Sequence, residues 1–129
     1  MKLEYLTTKE ITLIFKEAVL QQKEETVSNL LLNEIFHLTT KNPVTRKTVI
    51  HDLIKNPNLR ILKWILASGR EIDLNIQNLN QAKDNENEIG ITTLIQTFLE
   101  DPEKTRVYLR KELGLSGIIY KKTNLKEFF

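Results

Sequence analysis

The sequence predicts an all-α domain built from short helices met in consecutive pairs, and three observations carry that prediction. Each of the three prolines follows an Asx residue: Asn42-Pro43, Asn56-Pro57 and Asp101-Pro102. An Asx side chain accepts from the free N–H groups of a first helical turn, and proline lacks only an N–H that has no partner there. All three pairs therefore read as helix starts. Leu and Ile together supply 34 of the 129 residues against 7% aromatics, an aliphatic supply large enough for a core. Apolar residues recur at helical spacing along most of the chain.

Taken in order, Thr7 and Glu10 have capping-box form and open a first helix over residues 8–21. After a charged step, Gln22-Lys23-Glu24-Glu25, a second helix ends near Leu38, with Val27, Leu30, Leu31, Ile35 and Leu38 on its apolar face. Pro43 opens a third that runs to Lys55, with Val49, Ile50, Leu53 and Ile54 buried. Pro57 opens a fourth that runs to Ser68, and Gly69 sits where a left-handed residue ends it. Ile72, Leu74 and Ile76 then alternate with polar residues, and 81–88 is polar and acidic. Residues 70–89 read as an irregular loop with a short extended finger, its acidic part at 75–89. Helical pattern returns at 90–100 and 102–114. The tail 115–129 carries Ile118, Ile119, Tyr120, Phe128 and Phe129, too apolar to be left in solvent, and is expected to pack on the body. Helices this short are marginal alone and must pack on each other.

Helix pairs at a fixed period point to a solenoid. Leu30-Leu31-Leu32 and Trp64-Ile65-Leu66 lie 34 residues apart at the same place in successive pairs. Thr48-Val49-Ile50-His51 and Thr92-Thr93-Leu94-Ile95 lie 44 apart, one period plus the acidic loop. Residues 48–74, TVIHDLIKNPNLRILKWILASGREIDL, resemble one ankyrin repeat without a gap. Thr48-Val49-Ile50-His51 stands where that family has T-P-L-H. Ile61-Leu62 and Ile65-Leu66 stand at its paired apolar positions, Gly69 at its terminating glycine and Ile72-Asp73 at Val-Asn. Leu53-Ile54 replaces the small Ala-Ala pair, Pro57 the glycine between helices, and Arg46 the glycine of the leading turn. Residues 15–35 and 90–113 match weakly. The resemblance implies a single domain over 1–129, an ankyrin-like solenoid of about three to four units. The pair at 1–38 and the pair at 90–114 would cap the best repeat, at 42–74.

The same resemblance implies a non-enzymatic protein–protein interaction module, its contacts drawn from Arg46, Lys47, Arg70, Glu71 and Asp73 on loop tips and the inner helix face. It makes Thr48, His51 and Gly69 structural, the imidazole bonding to backbone near a neighbouring turn. Trp64, the single tryptophan, is either a partner anchor or packing against the next outer helix. The near-neutral net charge of +2 hides an asymmetry. Residues 103–129 hold seven basic and three acidic groups, including Arg106 and Arg110, whereas 70–89 hold two basic and five acidic. The basic end is a second candidate for an acidic partner. A helix-turn-helix over residues 45–68, reading nucleic acid through Arg60 and Lys63, is the alternative. Its second helix leaves few polar positions for a groove, so nucleic acid is the less favoured partner. A homo-oligomer through Trp64 or the C-terminal face is a further expectation.

No paired carboxylates, nucleophile motif or glycine-rich phosphate loop marks an enzyme. With no cysteine and only His37 and His51, no metal site and no cofactor is expected. No run is apolar enough to span a bilayer and no signal-peptide core stands at the start, so an intracellular protein off the membrane is expected.

Overall fold

A computed structural model describes residues 6–84 and 90–115. They form seven helices and no strand: α1 (Thr8–Leu20), α2 (Glu24–Asn33), α3 (Val49–Lys55), α4 (Leu59–Ala67), α5 (Ile76–Asp84), α6 (Ile91–Glu100) and α7 (Pro102–Glu112). The all-α class follows directly.

The helix starts show which local signals prevailed. Thr7 caps α1 by accepting from the Glu10 N–H at 3.1 Å, and Glu10 returns its carboxylate to the Thr7 N–H at 3.2 Å. The Asn56-Pro57 pair does not open α4 as expected: Asn56 ends α3, Pro57 lies between the helices, and Asn58 caps α4 through the Ile61 N–H at 3.1 Å. Asp101 caps α7 with Pro102 at its first position. The Asn42-Pro43 pair opens no helix either. Asn42 Oδ1 accepts from the Val44 and Thr45 N–H groups, at 2.8 and 3.1 Å, which closes a turn instead. The Asn42 N–H then donates to the Lys47 carbonyl, with Arg46 left-handed at φ 62°. The third helix begins at Val49, where the apolar run begins.

Two further boundaries differ from the sequence expectation. α2 stops at Asn33, and the chain continues extended, with Phe36 and Leu38 buried and Ile35 partly exposed. The expected acidic loop at 75–89 contains a helix, α5, and residues 70–75 form no strand before it. Asn75 and Asn78 exchange side-chain-to-backbone hydrogen bonds at 2.8 and 3.1 Å, a reciprocal cap built from two asparagines. Leu79 and Ala82, three apart, then bury one face. Residues 1–5, 85–89 and 116–129 lie outside the described residues, and with them the rest of that loop and the tail expected to pack on the body, apart from Leu115, which is buried.

The helices pack in two rows. α3 lies between α1 and α5, and α4 lies between α2 and α7, while α1 packs on α2. α6 joins the rows by packing on α5, α4 and α7. A chain of simple helix pairs would place α6 beside α3. Here α5 takes that position, so the extra residues behind the 44-residue spacing form a member of the row. One aliphatic core runs through both rows, with Val27, Leu31, Ile61, Ile65 and Ile95 fully buried. Within it Phe15 packs against Phe36, ring centres 4.8 Å apart.

Candidate partner-binding surface

The connection from α2 to α3 projects the turn at 42–48, and the connection from α4 to α5 runs beside it. Thr48 joins them: its hydroxyl donates to the Asp73 carboxylate, at 3.0 and 3.1 Å to the two oxygens. His51 turns Nδ1 back to accept the Thr48 N–H at 3.1 Å, so the imidazole braces its own helix start and not a neighbouring turn. Arg46, Lys47 and Glu71 are exposed on these two connections. Asp73, expected on the contact surface, is half-buried and holds Thr48.

Arg70 is the largest departure. Expected at a loop tip, it is 5% exposed. Its guanidinium donates to the carbonyls of Phe36 and Leu31, each at 2.9 Å, and also to that of Glu34. It lies 4.3 Å over the Phe36 ring. These carbonyls lie at the α2 end and just beyond it, where backbone acceptors lose their helical partners and carry partial negative charge. Burial pushes Arg70 down to about 10, with the charge of Glu34 acting against it. Arg70 is a clamp between successive helix pairs, and no partner can reach it in this arrangement. Arg110 repeats the arrangement one row-step on, its Nε donating to the Ala67 carbonyl at the α4 end, 2.8 Å away.

Gly69, left-handed at φ 76°, ends α4 as expected. A Cβ there would meet Arg110 Nη2 at 3.0 Å and Arg106 side-chain atoms at 3.5 Å, so both arginines lie over this turn. Arg106 also pairs with Glu103. The basic character of α7 is therefore spent partly inside the fold.

Trp64 is tied to the preceding helix of its row, not to the next one as the packing expectation has it. Its indole N–H donates to Glu24 Oε1 at 2.9 Å, tying α4 to α2. That hydrogen bond is the main reason the Glu24 carboxyl is held below its ordinary range. Desolvation opposes it, and Arg60, paired with the same oxygen at 2.9 Å, reinforces it. Lys63 pairs with Glu112 of α7 at 2.6 Å. The two side chains that a groove-reading α4 would need are thus both turned to neighbouring helices.

Two features had no place in the sequence reading. Between α1 and α3, Lys16 and Asp52 act on each other across a partly dehydrated gap. Burial lowers Lys16 and raises Asp52, and the attraction between them opposes both shifts. Between α4, α6 and α7 lies a groove of about 640 Å³. Leu59, Leu94 and Leu109 line it, with Tyr108 beside them at 66% exposure.

Among the described residues no three His, Cys, Asp or Glu side chains converge to hold a metal ion, and no helix is long and apolar enough to cross a membrane. Compared with protein-family models, curated proteins and solved structures, the chain matches none of them.

Proposed function

We propose that this chain is a non-enzymatic protein-binding module of ankyrin-like helical-repeat type, acting inside the cell and engaging its partner through the exposed turn at 42–48 and the adjoining connection. The observation that carries the reading is the local geometry of residues 42–51. Arg46, standing where the family has the glycine of its leading turn, takes the left-handed φ of 62° that a glycine would take freely. Thr48 and His51, at the first and last positions of the T-P-L-H stretch, bond to each other. The left-handed Gly69 supports the same register. Arg46, Lys47 and Glu71 then form a charged edge on a rigid base, suited to recognition by polar complementarity.

The test is affinity capture from the source cell with wild-type chain and with the double variant Arg46→Glu/Lys47→Glu. One specific protein retained by the wild type and lost by the variant is the expected result. Equal capture by both would overturn the site. The nucleic-acid alternative is tested by titrating duplex DNA at low salt, where phosphate contacts are strongest. Binding that Arg60→Glu abolishes would replace the protein-binding reading. Sedimentation decides the homo-oligomer: a concentration-dependent dimer would make the partner a second copy.

A further inference from the structure

Arg60, Lys63 and Arg106, on α4 and α7, each pair with a carboxylate. Lys16, Lys47 and Lys55, on and beside α1 and α3, form no ion pair and no side-chain hydrogen bond with another described residue. We infer that these three lysines form a docking stripe for an acidic peptide segment of the partner, running across α1 and α3 beside the turn at 42–48. This names the partner's chemistry and rests on the protein-binding reading above.

The three lysines come together from two parts of the chain. Lys16 stands four residues after buried Thr12 and three before buried Val19, at the edge of the packed face of α1. α1 packs on α3, and Asp52 of α3 is the charge that acts on Lys16. The charges that act on Asp52 are those of Lys16, His51, Lys47 and Lys55. His51 is set aside, because its Nδ1 accepts the Thr48 N–H. Three lysines against one carboxylate then leave a positive surplus. Lys47 and Lys55 are exposed, whereas Lys16 and Asp52 are half-buried, so the surplus faces solvent. Burial works against the charge on Lys16 and on Asp52, and their mutual attraction offsets it only in part. A carboxylate arriving over Lys16 supplies negative charge that Asp52 alone does not.

An acidic peptide fits this stripe better than a polyphosphate does. Asp52 lies inside the stripe and Glu71 is exposed on the connection beside it, so a continuous row of phosphates would meet two carboxylates. Val44, 88% exposed on the turn that carries Arg46 and Lys47, offers an apolar contact next to the basic groups. The rise from Lys47 to Lys55 is about 12 Å at a helical 1.5 Å per residue. Carboxylates four residues apart on one face of an extended peptide are separated by about 13 Å.

The probe is a fluorescein-labelled peptide with glutamate at alternate positions around one leucine, titrated into the full chain at low salt and followed by anisotropy. The same peptide with glutamine is the reference. Wild type is expected to bind the glutamate peptide at least about tenfold more tightly than the glutamine one. Lys16→Gln/Lys55→Gln is expected to weaken that binding about tenfold. Lys23→Gln/Lys111→Gln removes the same charge from exposed sites at the start of α2 and the end of α7, and should change binding less than about twofold. Asp52→Asn removes the opposing carboxylate and is expected to tighten binding several-fold. Burial already disfavours that charge, so the variant should keep its helix content.

No preference for glutamate over glutamine would overturn the inference, and so would equal losses in the two lysine variants. Weaker binding by Asp52→Asn at unchanged helix content would overturn it independently of whether the lysine variants fold. Duplex DNA that displaces the peptide from wild type, but not from Lys16→Gln/Lys55→Gln, would assign the stripe to nucleic acid. A cellular protein captured by wild type, lost by Arg46→Glu/Lys47→Glu and kept by Lys16→Gln/Lys55→Gln would overturn the stripe and leave the protein-binding reading in place.

Discussion

Replacing Arg70 with methionine removes the guanidinium while keeping most of the aliphatic stem against Phe36. In the wild type that guanidinium serves three carbonyls, those of Leu31, Glu34 and Phe36. Hydrogen bonds from a charged donor contribute about 1.5–3 kcal/mol each, and a stranded buried acceptor costs about 1–3 kcal/mol. Against this stands the penalty for dehydrating a nearly buried cation, several kcal/mol, which the variant no longer carries. The balance for removing one side of such a buried arrangement is a loss of about 3–5 kcal/mol. In a domain of this size that is a large share of total stability and lowers Tm by roughly 10–20 °C. Arg70→Lys, with a charge but no planar fork, should lose about half as much. Urea denaturation monitored by far-UV circular dichroism measures both variants, with exposed Lys47→Met as the reference, expected within about 0.5 kcal/mol of wild type. If Arg70→Met costs less than about 1 kcal/mol, the α2 carbonyls find water instead and the clamp is not what joins the helix pairs.

Trp64→Phe removes the indole hydrogen bond to Glu24 and should cost about 1 kcal/mol, because the site is partly exposed. Glu24 titrates below its ordinary 4.5, so its contribution is fully present above that value and is lost as pH falls through the folded-state value. The variant should raise the Glu24 pKa in an NMR titration and show a weaker loss of stability below pH 4.5. Gly69→Ala forces a Cβ into a left-handed residue and against Arg110, and should cost about 1–2 kcal/mol by urea denaturation. The same substitution in an Arg110→Ala background should cost less, but not nothing, since the backbone strain remains. Asn78→Ala removes half of the reciprocal cap on α5. Amides of Ile76–Asp84 should then exchange about fivefold faster, a loss near 1 kcal/mol, with little change in α2.

What the sequence made legible was set by how local the deciding forces are. Thr7 with Glu10, and Asp101 with Pro102, act within one turn, and their helices begin where the residues say. Asn42-Pro43 carries the same signal, but its side chain found two N–H groups in a tighter turn, and Thr48 stood closer to the apolar run. α5 was hidden because only Leu79 and Ala82 of its residues face the core, too few to show a period. The Asn75-x-x-Asn78 exchange was the signal available. Phe36 went unnoticed because Ile35 fits a continuing helix better, and only Arg70, far along the chain, holds the carbonyls that let α2 stop at Asn33. The candidate surface suffered most from such distant contacts. Arg46, Lys47 and Glu71 remain exposed as their composition suggests. Arg70, Asp73, Trp64, Arg106 and Arg110 look identical to surface residues in sequence, yet each is committed to a helix end or a neighbouring side chain.

The Arg70 clamp also sets a timetable for synthesis. The carbonyl of Glu34 precedes its partner by 36 residues, which a ribosome adds in about two to seven seconds. Through that interval the first helix pair has a loose end, and Phe36 lacks the cation that covers it. The nascent chain therefore cannot complete its opening unit as a freestanding piece, and a ribosome stalled before residue 70 would display an unfinished fold. Arg110 imposes a longer delay on α4, 43 residues after Ala67. Each unit waits for the next one, so the finished chain is expected to open and close as one body, not as a row of separable repeats.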